Sequence, residues 1–158
     1  LIKTVTDREE LRAALFRGEI DIVATDHAPH TADEKLHHPL AEAHAGSPGV
    51  QTLLLSCLEL ARQLGDAWRA VNWVTVKPAM IFGLYPRKGV IQPGSDADLV
   101  LIDPKGRTKV RSEEMLSRQR LGSLDGLEMG FAIKAVYLRG EPPHPGSGEF
   151  LTPVVGKG

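Results

Sequence analysis

Thr25-Asp26-His27-Ala28-Pro29-His30 sets one carboxylate and two imidazoles within a single short stretch. A carboxylate can ligate a metal and carry a proton, and an imidazole can donate or accept near neutral pH. Just before it, Ile20 to Ala24 is an apolar run broken only by Asp21, the pattern of a buried strand. Such dense polarity has no use in a core but suits the end of a strand, where α/β barrels keep their catalytic side chains. Asp26 is therefore a candidate metal ligand and proton carrier, and His30 a candidate substrate binder. The plain alternatives are a turn or capping carboxylate and a solvated loop histidine.

The flanking segments supply a scaffold. Thr6-Asp7-Arg8-Glu9 is a capping-box pattern, followed by the helical face Leu11, Ala14 and Leu15 and the stop Gly18. Ala32 to Pro39 is polar and turn-rich. Ser47-Pro48-Gly49 reads as an N-cap with proline at the first helical position. Val50, Leu53, Leu54, Cys57, Leu58, Ala61 and Leu64 then recur at helical spacing up to Gly65. Cys57 falls on that stripe and reads as packing. A helix over about 67–76 should break at Lys77-Pro78, with another short one from Pro78 to Gly83. Beyond Tyr85 the pattern becomes extended. Gly89-Val90-Ile91 and Asp98 to Ile102 read as strands, Asp103-Pro104-Lys105-Gly106 as a type I turn, and Thr108 to Val110 as a further extended piece. Ser112 to Leu116 suggests a brief helix, Phe131 to Leu138 a last strand stopped by Arg139-Gly140, and the Pro/Gly-rich tail a loop.

Bulk composition narrows the function. The chain has 158 residues, 42% apolar and 25% charged, with nineteen basic and twenty acidic residues giving a net charge of −1. That balance gives no pull toward nucleic acid or anionic lipid. A lone cysteine excludes an internal disulfide framework. No apolar stretch is long enough to span a bilayer, and the start lacks a signal-peptide pattern and an initiator Met; a cytoplasmic location and a chain beginning mid-protein are the expectations. The basic runs Arg87-Lys88 and Arg118 to Arg120 have no interleaved aromatics and read as solvated faces. The organisation is α/β up to about residue 83 and mainly β after it. A closed eight-stranded barrel needs roughly 200 residues or more, so the chain cannot hold one.

Thr-Asp-His-Ala-Pro-His at 25–30 closely resembles the signature of the bacterial (type I) dihydroorotases of the amidohydrolase superfamily. Thr31 to Lys35, Gly46 to Thr52 and Pro78 to Leu84 resemble further segments of that family. Lys88 to Ile91 with Gly94 to Leu101 resembles the composite β-domain of many cyclic amidohydrolases. The likeness runs along nearly the whole chain but over only the C-terminal part of the family's length.

The resemblance implies an α/β fold: residues 1–84 as the C-terminal portion of a metal-dependent (β/α)8 TIM-like barrel, with its last strand ending at Asp26, and 85–158 as part of a small composite β-sandwich domain. It implies zinc, as one or two ions, with Asp26 as ligand and general base and acid. The other ligands are expected upstream of Leu1, since no His-x-His pair is present. It makes His30 the contact for the substrate carboxylate, Ala45 and Gly46 the backbone contacts for the pyrimidine ring, and His27 a supporting residue. His37, His38 and His44 read as solvated loop histidines. The implied reaction is the reversible hydrolysis of dihydroorotate to N-carbamoyl-L-aspartate in pyrimidine synthesis, this chain carrying part of the site and being inactive alone. Alternatives are a hydantoinase, dihydropyrimidinase or allantoinase, or a non-catalytic subunit supporting a transcarbamoylase. Expected partners are the missing N-terminal barrel segment, a second copy or aspartate transcarbamoylase; no nucleic acid and no membrane.

Overall fold

The computed structural model describes residues 4–39 and 41–153. Helix α1 (Val5–Arg17) is capped by Thr4, whose hydroxyl accepts from the Asp7 amide at 3.0 Å while the Asp7 carboxylate accepts from the Thr4 amide at 2.9 Å. The expected box on Thr6 and Glu9 is displaced by two residues. Both four-residue runs read Thr-x-x-acid, and the earlier start adds helical residues once the costly first turn exists. Gly18 ends the helix in the left-handed conformation, as the sequence suggested. Leu15 is buried but Leu11 is exposed, and Phe16 meets Trp73 edge-on with ring centroids 5.6 Å apart.

Ile20 to Ala24 does not form a strand. Ile20, Ile22 and Val23 are half-buried and Asp21 and Ala24 exposed, with Ile20 and Val23 against the core and the Val23 amide donating to the Trp73 carbonyl at 3.2 Å. A strand exists through its ladder, and no described segment pairs along this run; apolar sequence alone does not supply the neighbour.

A 3-10 turn over Val50–Thr52 leads into α3 (Leu53–Gln63). Leu55, Cys57, Leu58 and Ala61 are buried, whereas Val50 and Leu64 of the expected stripe are exposed. The tighter opening turn shifts the helical phase and rotates Leu55 inward. Burial pushes the Cys57 thiol up to about 11, consistent with packing rather than chemistry. Helices α4 (Arg69–Val74) and α5 (Val76–Ile81) are divided at Thr75 (φ −128°, ψ −82°), not at Lys77-Pro78. Pro78 falls in the first turn of α5, where its missing N–H is not needed.

Strands β1 (Leu99–Lys109) and β2 (Glu128–Tyr137) form an antiparallel pair running from Leu99↔Tyr137 to Lys109↔Glu128. The expected turn at Asp103 to Gly106 is a large bulge inside β1, opposite Phe131 (φ 77°), with Asp103 Oδ1 accepting from the Lys105 amide at 2.9 Å. The turn chemistry is real, but the ladder resumes on the same strand. Gly89-Val90-Ile91 is not a strand. That stretch is pinned by Lys88, which pairs with Asp96 at 2.7 Å and with Asp98. Ser112–Glu114 is one 3-10 turn. Among the described residues β1 and β2 make the only sheet, so these residues do not form a two-sheet sandwich. Arg139 and Gly140 end β2 with positive φ; the following tail carries no helix or strand up to residue 153, and its last residues lie outside the described ones.

One core joins the two stretches: Leu15, Leu55, Leu58, Ala61, Ala70 and Trp73 pack with Val110, Met129 and Phe131. Glu59 ties α3 to β2 by accepting from the Gly130 amide at 3.1 Å while pairing with Arg62. Among the described residues no helix is long and apolar enough to cross a membrane.

Candidate active site

The run from Ile20 leads to Asp26, whose φ of +46° is left-handed. Aspartate is among the few residues that tolerate this region, and strain of this kind collects at functional positions. The side chain is exposed, and among the described residues it has no hydrogen bond or ion pair. Its carboxylate is thus free for a ligand.

Residues 26–30 then run beside residues 44–49. His27 and Ser47 form a parallel bridge, and the Ala28 amide donates to the Ser47 carbonyl at 3.3 Å. The contact depends on Gly46, at φ +135°. A Cβ there would stand 2.4 Å from the Ala28 oxygen and 3.2 Å from His30 Cδ2, so only glycine permits the approach. Among the described residues Ala45 and Gly46 make no backbone hydrogen bond, leaving their amides and carbonyls free to meet a ligand.

His30 precedes α2 (Ala32–Leu36), a short helix closed by the capping box of Thr31 and Glu34. Its Nδ1 lies 3.5 Å from Glu34 Oε2, and its ring stacks on His44 with centroids 5.0 Å apart and planes inclined by 26°. The Thr31 amide and hydroxyl hold the Glu34 carboxyl below its usual range, burial opposing them, with smaller help from His30 and His44. A negative charge therefore stands beside the two imidazoles.

His27 turns the other way. The Gly49 and Val50 amides donate to its Nδ1 at 3.0 and 3.3 Å, so the ring hydrogen sits on Nε2. The imidazole caps the turn that opens α3, the job expected of Ser47. Ser47 Oγ instead accepts from the Ser123 amide at 3.2 Å, and Gln51 clamps Glu114 and Leu116. Both contacts bind residues 114–123 to the rim. A cleft of about 330 Å³ lies there, lined by His27, Pro48 to Thr52 and Met115 to Ser117; Asp26 and His30 do not line it.

The structure thus brings His30 and Gly46 together and sets Asp26, with Ala45, on the flanks of that contact. His44 is an exposed loop residue, as the sequence suggests, and its ring is nonetheless part of the arrangement. Its amide donates to the Glu34 carbonyl at 3.3 Å and its carbonyl accepts from Lys35 Nζ at 3.4 Å, folding the loop over α2. His37 stays at the surface, paired with Asp33 at 2.8 Å. Thr31-x-x-Glu34 is a capping-box pattern that marks a helix start and not the contact with His30 four residues before it, and no local pattern marked His44, whose ring reaches His30 across a loop. Among the described residues no three His, Cys, Asp or Glu side chains are grouped to hold a metal. Asp26 offers a single carboxylate, which does not make a metal site alone.

Residues 3–142 match the sequence profile of the Amidohydrolase family. The chain is 44% identical over 111 residues to a dihydroorotase of Halobacterium salinarum, covering 70% of this chain and 26% of that protein. It is 30% identical over 146 residues to a D-phenylhydantoinase of Escherichia coli O1:K1, covering 89% and 32%. A D-hydantoinase (dihydropyrimidinase) structure from Thermus sp. superposes with a TM-score of 0.78 at 32% identity, over 85% of this chain and 30% of that one. The chain therefore spans between a quarter and a third of the length of these relatives.

Proposed function

The chain belongs to the amidohydrolase family, and from that premise we propose that it carries part of the active site of a zinc-dependent dihydroorotase. The supporting observations are an exposed, left-handed Asp26 without a partner among the described residues, and, four residues on, His30 set against Gly46. Opening a cyclic amide requires an activated water, a polarised carbonyl and a proton for the departing nitrogen. Zinc, when bound, supplies Lewis acidity for the first two. Asp26 is one of its ligands and, through its carboxylate oxygens, takes up a proton and hands it to the ring nitrogen. His30 donates to the substrate carboxylate, and the Ala45-Gly46 backbone sets the orientation of the ring by its amide and carbonyl groups. The likeness to hydantoinases supports a second reading, in which the ring is a hydantoin or dihydropyrimidine. A carboxylate-binding role for His30 has meaning only for the first substrate.

The remaining metal ligands belong, in this proposal, to polypeptide that packs on the chain. The accessible surface is 11134 Å². A compact monomer of 17.2 kDa exposes about 7,800 Å². Among the described residues, Met80, Ile81 and Phe82 on and just after α5, and Leu101 and Val136 on the ribbon, are all exposed apolar side chains. The rest of a barrel is the cover we propose, making this the C-terminal part of a cytoplasmic enzyme of pyrimidine synthesis. Turnover of dihydroorotate against hydantoin by the native-length protein tests the substrate; loss of dihydroorotate turnover in Asp26→Asn tests the site.

A further inference from the structure

His30 is gripped on three sides, and the grip has a direction. Resting on the reading of His30 as the contact for the substrate carboxylate, we propose that Glu34 and His44 are positioning residues that fix the His30 ring with Nε2 facing the substrate.

Glu34 is itself rigidly placed. Its Oε2 accepts from the Thr31 amide at 2.8 Å, and its own amide donates to Thr31 Oγ1 at 3.1 Å. The same Oε2 stands 3.5 Å from His30 Nδ1. A carboxylate only accepts, so it selects the tautomer with hydrogen on Nδ1. At 3.5 Å the contact is longer than a full hydrogen bond, and contacts of this kind tighten when substrate arrives. His44 covers the ring face at 5.0 Å and is anchored by its own backbone to Glu34 and Lys35. The Gly46 backbone closes the Cδ2 edge. A flipped ring would turn a carbon toward the Glu34 oxygen. With Nδ1, one face and the Cδ2 edge occupied, Nε2 is the remaining polar atom of the ring, and among the described residues it has no partner. Glu34 thus has two tasks: closing α2 and orienting the imidazole next to it.

The two tasks separate by substitution. In the native-length enzyme Glu34→Gln keeps the cap, since glutamine also serves in a capping box, but removes the charge facing His30. The expected result is a KM for dihydroorotate raised about tenfold, the worth of one charge-assisted contact, with kcat unchanged. His44→Ala has the same signature, and His44→Phe, which restores a flat ring, recovers most of the loss. Nitrogen chemical shifts of neutral His30 show hydrogen on Nδ1 in the wild type and a mixture in Glu34→Gln. The proposal is overturned if Glu34→Gln and His44→Ala leave KM unchanged while His30→Asn raises it, or if wild-type His30 carries its hydrogen on Nε2. If His30→Asn itself leaves KM unchanged, the carboxylate role of His30 fails instead, and the tautomer measurement still decides whether Glu34 orients the ring.

Discussion

Replacing Gly46 with alanine probes the joint between the two site loops. Gly46 lies at φ +135°, and a Cβ there would be 2.4 Å from the Ala28 oxygen and 2.8 Å from the Ala28 Cβ. The backbone conformation costs a side chain about 1–3 kcal/mol, and forcing the crowded atoms apart adds about 1–3 kcal/mol. Gly94 provides the control: its φ is +90°, but an added Cβ would meet nothing within 4 Å. Gly94→Ala should show only the conformational cost, so urea unfolding should find Gly46→Ala less stable than Gly94→Ala by about 1–3 kcal/mol. The functional gap is larger. Relief of the clash moves residues 44–47 away from Ala28 and His30, and a displacement of about 1 Å in a positioning loop can cost about a hundredfold in rate. Turnover by the native-length protein should therefore fall about a hundredfold in Gly46→Ala and little in Gly94→Ala. Equal stability of the two variants with full turnover in both would refute the close approach of the loops.

Two other tests address the support of the site. His27→Phe removes the acceptor that caps the turn before α3 and leaves the Gly49 and Val50 amides without it; urea unfolding should register a loss of about 1–2 kcal/mol, and an unchanged midpoint would remove His27 from the scaffold. The Arg62 contact holds the Glu59 carboxyl below its ordinary value of 4.5, against burial and with help from the Gly130 amide. Such a depressed group contributes stability that is complete above pH 4.5 and is lost as pH falls through the folded-state value. Glu59→Gln should therefore flatten the acid limb of a stability-versus-pH curve below that point, and an identical limb would contradict the assignment.

Elements whose signals are local could be read from the sequence. The Gly18 stop, the helix after Gly49 with Cys57 inside it, and the strand closed by Arg139-Gly140 all stand close to where the residues suggested. Local chemistry fixed the kind of element better than its bounds: Thr4 and Thr6 offer near-equal caps two residues apart, and Asp103 to Gly106 can make either a turn or a bulge. What failed depended on pairing at a distance. Among the described residues no strand pairs with Ile20 to Ala24, for all its strand composition, or with Gly89 to Ile91, which follows the ion-paired Lys88. At the site, Asp26 and His30 stood out as a polar break after apolar residues. His44 did not, because the second imidazole reaches the first only when the intervening loop folds back, and Glu34 could be read only as the cap of a short helix.

The most direct test pairs metal analysis with turnover of dihydroorotate by the native-length protein and its Asp26→Asn variant. Zinc and dihydroorotate turnover are expected in the parent, and a folded variant whose rate falls about a thousandfold with the loss of a proton carrier and metal ligand. An Asp26→Asn protein that retains zinc and the parent's rate, or a parent that opens hydantoin and leaves dihydroorotate untouched, would contradict these expectations.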